Sequence, residues 1–153
     1  DIAIESLIGA EVKDVIIVGG EKKIHSSKTN IQYCEDLFPN EGPLGGVITG
    51  LRNIKSDIAV ILACDYLEID SSVVLECVSK LNARSMVFPL YKGKEQYLFS
   101  AIRTECVEAL ELQFMKGVRS IHEAVTCLDC VTYESAYPKK LRSANTPSQL
   151  NDD

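Results

Sequence analysis

The sequence predicts an α/β fold: a doubly wound, mostly parallel sheet with one antiparallel strand. Three observations lead to this fold class. Apolar runs of strand length alternate with segments of helical periodicity, and residues 58–64 form the continuous apolar run typical of a strand buried on both faces of a parallel sheet. A turn at residues 91–94 is followed by an apolar run at residues 97–102, which indicates a returning antiparallel strand. The 153 residues are expected to form one domain, residues 1–153.

The elements of the first half follow from apolar spacing and from the positions of glycine. Helices are assigned where apolar residues recur every three to four positions, and strands where β-branched residues run together. The pattern predicts, in order, a helix ending near residues 9–12, a buried strand at 15–18 closed by Gly19 and Gly20, an extended segment at 31–34, a helix through Leu51, and the strand at 58–64, which stops at Asp65.

The second half follows the same alternation. Capping residues and terminal glycines mark the helix boundaries. The pattern predicts a helix capped by Ser71, a strand at 85–89, the antiparallel strand at 97–102, a helix from Thr104 to Gly117, a second helix from Ser120, and a last short strand at 131–133.

Composition excludes several classes of partner. With 46% hydrophobic and 25% charged residues, the chain has the composition of an ordinary globular protein, and its apolar runs are too short to span a membrane. A net charge of −6 without a basic stripe argues against nucleic-acid binding. The six cysteines lie mostly in apolar patterns, so we expect reduced thiols and a cytoplasmic location. The C-x-x-C pair Cys127 and Cys130 lacks a second pair, which disfavours a four-ligand zinc site.

A glycine-rich segment, residues 41–51, is the first candidate for a binding site. Gly42, Gly45 and Gly46 surround Pro43 and precede an apolar helix. Glycine lets the backbone approach a ligand closely, and a loop that opens into a helix directs free N–H groups at an anion. The segment is not a Walker loop. A glycine-rich turn that binds no ligand is an equally common structure.

Two carboxylates follow predicted strands. Asp36 comes after the second strand and Asp65 directly after the most apolar one. In a doubly wound sheet, ligands bind outside the carboxyl ends of the strands. Because Mg²⁺ takes one or two carboxylates together with phosphate oxygens and waters, Asp65 is well placed to hold this ion. The alternative is that Asp65 only caps the turn.

Three blocks of sequence resemble the molybdenum cofactor guanylyltransferases, a family with the nucleotide-diphospho-sugar transferase-like fold. They are E-D-L-F-P-N-E-G-P-L-G-G at residues 35–46, A-C-D at 63–65 and N-T-P-S-Q-L at 145–150. The G-V-R-S-I stretch at 117–121 is similar to a helix junction of the family.

The resemblance implies a catalytic reaction in which molybdopterin phosphate attacks the α-phosphate of GTP and releases pyrophosphate. Asp36 would contact the nucleotide, and Asp65 would ligate Mg²⁺ beside its phosphates. Gly42, Gly45 and Gly46 would let substrate approach. The resemblance also implies a substrate pocket that includes the two residues Gln96 and Asn145, and molybdoenzymes or their chaperones as partners.

The chain departs from the family pattern in three places. The family's first strand and its loop L-A-G-G-x-S-x-R-M-G-x-D-K have no counterpart, so we expect a truncated domain with one open sheet position. Leu67 stands where the family commonly has proline after its carboxylate, and Gly19 and Gly20 replace an asparagine. Two alternatives therefore remain open: a non-catalytic module that binds the pterin or a partner, and a nucleotidyltransferase for another nucleotide or acceptor.

Overall fold

The computed structural model describes residues 2–20 and 25–144. Five α-helices are present in this part of the chain: α1 Ile2–Gly9, α2 Pro43–Asn53, α3 Ser71–Lys80, α4 Val107–Met115 and α5 Ile121–Ala124. The strands are β1 Asp14–Val18, β2 Asn30–Cys34, β3 Ile58–Leu62, β4 Met86–Tyr91, β5 Lys94–Glu95, β6 Phe99–Arg103 and β7 Cys130–Glu134. Short 3-10 turns occupy Thr104–Cys106, Val125–Cys127 and Pro138–Leu141.

The larger sheet contains five strands in the order β3-β6-β4, with β5 and β7 both pairing with β4. β6 is antiparallel to β3 and to β4, whereas β7 is parallel to β4. The strands β3, β4 and β7 therefore run in one direction, and β6 and the two-residue β5 run in the other. The predicted fold class, including the antiparallel strand, is confirmed. The two-residue strand β5, which completes a hairpin with β4, was too short to be predicted.

The strands β1 and β2 form a separate parallel pair. Their register runs from Asp14 opposite Asn30 to Val18 opposite Cys34. On the described residues, neither strand pairs with the five-stranded sheet. The side of β1 away from β2 is therefore an open strand edge.

Helices cover both faces of the five-stranded sheet, as a doubly wound fold requires. On one face, residues of α2, α4 and α5 form a core cluster that includes the fully buried Leu44 and Leu110. On the other face, α3 packs with the last 3-10 turn around Cys77 and Leu141, and Leu7 of α1 lies against this second cluster. Burial raises the pKa of the Cys77 thiol to about 12.

Capping residues explain where the helices start, and one predicted cap was wrong. Ser71 is not the N-cap of α3, because the carboxylate of Asp70 accepts a hydrogen bond from the Ser72 amide at 3.1 Å. Ser120 caps α5 by accepting from the Glu123 amide at 3.2 Å. The predicted start at Thr104 is a 3-10 turn that continues into α4.

The cysteines are less uniformly buried than their sequence context suggests. All six are free thiols; Cys64 and Cys127 are exposed, and Cys34 and Cys130 are partly buried. Burial raises the pKa of the Cys130 thiol to about 11, which disfavours the reactive thiolate. None of the described helices has the length and apolarity needed to cross a bilayer.

Candidate functional site

Asp36 shapes the turn that follows β2. Its Oδ1 accepts a hydrogen bond from the Phe38 amide at 2.9 Å and lies 3.3 Å from the hydroxyl oxygen of Thr49. A carboxylate that bonds the amide two residues further on forms an Asx turn. One carboxylate oxygen of Asp36 is thus used to hold the loop that leads to α2.

Thr49 connects this loop to α2. Its side chain is fully buried, its hydroxyl donates to the Gly45 carbonyl at 2.9 Å, and it accepts from the Leu37 amide at 3.2 Å. A buried hydroxyl is costly unless it is hydrogen-bonded, and this one is. The Asp36 turn is therefore fixed against the helix before any ligand binds.

The three glycines of the loop have three different surroundings. Gly42 is the N-cap of α2 with φ +87°, and an added Cβ would lie 3.3 Å from the Arg119 carbonyl oxygen. At Gly45, an added Cβ would lie 2.7 Å from the Cβ of Phe38, which is too close. At Gly46, no atom lies within 4 Å of the added Cβ. Backbone conformation thus explains Gly42, contact with Phe38 explains Gly45, and Gly46 alone of the three leaves space for a ligand.

Arg119 clamps the glycine loop to the end of α4. Its Nε pairs with the carboxylate of Glu41 at 2.6 Å, and its Nη1 donates to the Phe114 carbonyl at 2.8 Å. The guanidinium carbon lies 3.9 Å from the centroid of the Phe114 ring, which in turn lies 4.5 Å from that of Phe38. The loop is therefore held from two sides, by Thr49 and by Arg119.

Asp65 lies in the turn after β3 and is partly buried. Its backbone carbonyl accepts a hydrogen bond from the Ala144 amide at 2.8 Å, and the following residue, Tyr66, forms an isolated antiparallel bridge with Ser143. Burial and, secondarily, the charge of Asp65 raise the pKa of the Tyr66 hydroxyl. The last described residues of the chain are thus held against the Asp65 turn.

Gln96 reaches this turn through Tyr66. Its Oε1 lies 3.4 Å from the Tyr66 hydroxyl, which donates to it, and its Nε2 donates to the Lys94 carbonyl at 3.0 Å. The other predicted pocket residue, Asn145, lies outside the described residues.

Two neighbouring spaces border the predicted site. A groove of about 1100 Å³ lies between β1 and β3 and is bordered by Gly46 and Cys64. A smaller cavity of about 480 Å³ is bordered by Asp36. Gly19 and Gly20 border both, so the two spaces adjoin at the end of β1. The remaining predicted residues border neither; they are Gly42, Gly45, Asp65 and Gln96, of which Asp65 directly follows Cys64.

The carboxylate after β3 suits a metal ion that takes most of its ligands from a bound nucleotide. In the residues 2–20 and 25–144, no group of three or more His, Cys, Asp or Glu side chains could hold a metal ion by itself. Mg²⁺ in nucleotide enzymes typically takes one or two carboxylates, and phosphates and waters supply its other ligands. A single carboxylate after β3 is compatible with that type of site.

Sequence reasoning did not identify Thr49, Arg119 or Tyr66 as parts of the site. A signal existed for Thr49, because a threonine four residues after a glycine in a helix can bond its carbonyl. The family-like stretch at residues 117–121 contained Arg119, but its pairing with Glu41 joins residues 78 positions apart and has no local signal.

Comparison with known proteins places the chain in one family. The family described as "MobA-like NTP transferase domain" matches residues 1–129. A protein of Clostridium perfringens named "Probable molybdenum cofactor guanylyltransferase" is 24% identical over 119 residues, covering 76% of this chain and 60% of that protein. The molybdenum cofactor guanylyltransferase of Pseudomonas putida is 32% identical over 127 residues, covering 78% of this chain and 62% of that protein. The chain thus spans about 60% of the length of these curated relatives.

A solved structure agrees at the level of the fold. The molybdopterin-guanine dinucleotide biosynthesis protein A of Archaeoglobus fulgidus superposes with a TM-score of 0.61 at 20% identity, covering 76% of this chain and 63% of that one. At this identity the likeness concerns the architecture alone. Because the family match covers most of the sequence and the mixed α/β sheet agrees with it, the chain belongs to the MobA-like NTP transferase family.

Proposed function

We propose that the chain is part of an enzyme that transfers GMP from GTP to molybdopterin and forms a guanine dinucleotide. The family is one of nucleotidyltransferases, and the named relatives are guanylyltransferases. The observation that carries the proposal is the position of Asp65 in the turn after β3, directly following the groove residue Cys64. A carboxylate at this end of a strand is where an α/β sheet holds the phosphates and metal of a nucleotide.

In this proposal the chain's own residues orient the reactants. A phosphate oxygen of molybdopterin forms a bond with the α-phosphorus of GTP, while the bond from that phosphorus to the bridging oxygen breaks and pyrophosphate leaves. Mg²⁺, when bound, neutralises phosphate charge. Asp65 would ligate the ion, and the Asp36 turn, held by Thr49, would contact the nucleotide. Gly46 leaves room beside the groove. Alignment and charge stabilisation supply most of the rate in such a reaction.

The decisive variant is Asp65→Asn in a polypeptide of the relatives' full length. An amide is a poor Mg²⁺ ligand, so we expect pyrophosphate release from GTP and molybdopterin to fall by at least ~10²-fold, the size of effect that loss of one preorganised electrostatic group has. Asp57→Asn is the matched control, because Asp57 is an exposed aspartate just before β3, at the opposite end of the same strand. This control should keep full activity.

The same assay distinguishes the alternatives. If Asp65 only caps a turn, asparagine would serve nearly as well, and activity within a few-fold of the parent would exclude the metal role. Faster turnover with CTP than with GTP would contradict guanine transfer. Tight pterin binding with no pyrophosphate release from any nucleotide would point to a binding module instead.

A further inference from the structure

Two cysteines bracket the short link between the second 3-10 turn and β7. Cys127 is the last residue of the turn Val125–Cys127, and Cys130 is the first residue of β7. Only Leu128 and Asp129 lie between them. The proposed nucleotide transfer uses neither thiol. C-x-x-C is also the spacing at which two thiols of one chain can exchange with a disulfide.

Both thiols of this pair are directed at the same turn. The Sγ of Cys127 donates to the Ala124 carbonyl at 3.2 Å, and the Sγ of Cys130 donates to the Val125 carbonyl at 3.5 Å. Because Ala124 and Val125 are consecutive residues, the two sulfur atoms are held at neighbouring carbonyl groups. A thiol is a weak hydrogen-bond donor, so both sulfurs can leave these carbonyls at small cost.

The link between the two cysteines folds back on itself. The Leu128 amide donates to the Val125 carbonyl at 2.9 Å, and the Cys130 amide donates to the Leu128 carbonyl at 3.1 Å. A bond between residues two apart closes a three-residue turn. A disulfide needs Cα atoms about 4.4–6.8 Å apart, whereas three residues of extended chain span roughly 10 Å. The folded link therefore favours a bond between the two sulfurs.

The two thiols differ in their access to solvent, and this difference assigns their roles. Cys127 is exposed and Cys130 is partly buried. Burial raises the pKa of the Cys130 thiol to about 11, and the charges of Cys106 and Asp129 add to this effect. Exchange requires a thiolate that can reach the disulfide. Cys127 is therefore the thiol that meets an external disulfide, and Cys130 reacts only with a sulfur that is brought to it.

A third thiol, that of Cys106, lies on the protein side of the link. Its Sγ donates to the Ser85 carbonyl at 3.9 Å, and the Ser85 amide donates to the Asp129 carbonyl at 3.0 Å. Burial raises the pKa of the Cys106 thiol, and the charge of Cys127 adds to this effect. With Cys106 only 7% exposed, an external disulfide cannot reach this sulfur in the folded chain.

We propose that Cys127 and Cys130 form a reversible disulfide by exchange with a small-molecule disulfide of the glutathione class. The Cys127 sulfur, after losing its proton, forms a bond with one sulfur of oxidised glutathione, whose S–S bond breaks to release one glutathione thiolate. The deprotonated sulfur of Cys130 then forms a bond with the Cys127 sulfur, and the second glutathione thiolate leaves. Each leaving thiolate takes up one proton. Two protein thiols are thus oxidised, and one glutathione disulfide is reduced to two thiols.

The thiol pair and the candidate nucleotide site lie at opposite edges of the sheet. Cys130 pairs with Met86, and these are the first residues of the parallel strands β7 and β4. Asp65 follows the carboxyl end of β3, which runs in the same direction as β4. The exchange can therefore hold or fail independently of the proposed transferase activity.

The test exposes the 153-residue chain to oxidised glutathione, alkylates the remaining thiols and identifies the products by peptide mass mapping. We expect a disulfide between Cys127 and Cys130 that reduced glutathione reverses. Cys130→Ser should stop the reaction at a glutathione adduct on Cys127 and lengthen the lifetime of that adduct at least ~10-fold. Cys64→Ser is the matched control, because Cys64 is exposed at the other edge of the sheet. This control should leave the disulfide unchanged.

Any of three results would contradict the proposal. A lasting glutathione adduct on Cys127 of the parent chain would show that Cys130 does not reach its sulfur. A disulfide that includes Cys106 would show that the wrong partner was chosen. A disulfide between two chains, recognised by its doubled mass without reductant, would show that the link does not bring the two thiols of one chain together.

Discussion

Gly45 and Gly46 are neighbours in α2, but an added side chain would meet different surroundings at each. The Cβ of an alanine at position 45 would lie 2.7 Å from the Cβ of Phe38, so the turn that Asp36 holds would have to move. At position 46 the same atom would point into open space beside the groove. The two positions therefore separate close packing within the protein from space kept open for something else.

We expect Gly45→Ala and Gly46→Ala to change stability in opposite directions. Gly45→Ala overpacks the Phe38 contact and should lower the free energy of unfolding by about 1–3 kcal/mol. Gly46→Ala improves helix propensity at an unobstructed site and should raise it by up to about 1 kcal/mol. Urea denaturation of this chain measures both values. A loss of stability in Gly46→Ala would contradict the open space that the structure shows beside this residue.

The residue scale is also where sequence alone was least informative. The pattern identified three closely spaced glycines but could not separate their causes, because φ +87° at Gly42 and the Phe38 contact at Gly45 depend on the folded backbone. Asp36 was selected by its place after a strand, yet its bond to the Phe38 amide shows a structural task in addition to any contact with nucleotide. Its partner Thr49 lies 13 residues away.

At the scale of elements, α3 is attached to the end of the described chain through its N-cap. The carboxylate of Asp70 accepts bonds from the amide and hydroxyl of Ser72 and pairs with Lys140 of the last 3-10 turn. Burial alone would raise the pKa of the Asp70 carboxyl, but the bonds from Lys140 and Ser72 outweigh it and hold the pKa below its usual range. One side chain thus starts α3 and holds the last 3-10 turn. The residues that follow this turn contact the Asp65 turn.

This arrangement predicts a pH-dependent stability. Asp70→Ala should cost about 1 kcal/mol at neutral pH because the cap is lost, whereas Asp70→Asn should cost less because asparagine caps equally well. A depressed pKa adds stability above the unfolded value of about 3.9, and this stability is lost as the pH falls through the folded value. The gap between the parent and Asp70→Asn should therefore shrink between neutral pH and about pH 3 in urea unfolding. An unchanged gap would contradict a contribution from the Lys140 pair.

Elements were predictable where one signal dominated. The continuous apolar run that became β3 and the turn that precedes β6 needed no long-range information. The cap of α3 was misassigned by one position because residues 70–72 are Asp-Ser-Ser, and all three side chains can cap a helix. The choice of Asp70 depends on Lys140, which lies 70 residues away.

At the scale of the whole molecule, the groove divides the strands into two sheets. The expectation of an open sheet position came from the family resemblance, and its location between β1 and β3 comes from the structure. Sequence alone could not give this location, because strand order depends on long-range pairing, such as that of β3 with β6. An apolar groove with two open edges is also a surface through which copies of the chain can pair.

We therefore expect the 153-residue chain to self-associate as its concentration rises and a charge at the groove to suppress this. Ile58 begins β3 and is 38% exposed, so Ile58→Lys places an ammonium group on the open edge at small cost in packing. Met115→Lys is the matched control, because Met115 is 81% exposed at the end of α4 and does not border the groove. Sedimentation equilibrium should show a weight-average mass that grows with concentration for the parent and for Met115→Lys, but stays near that of the monomer for Ile58→Lys. Equal suppression by both lysines would mean that association depends on general surface apolarity. A parent chain that stays monomeric at all concentrations would show that the open edges of β1 and β3 do not bind a second copy.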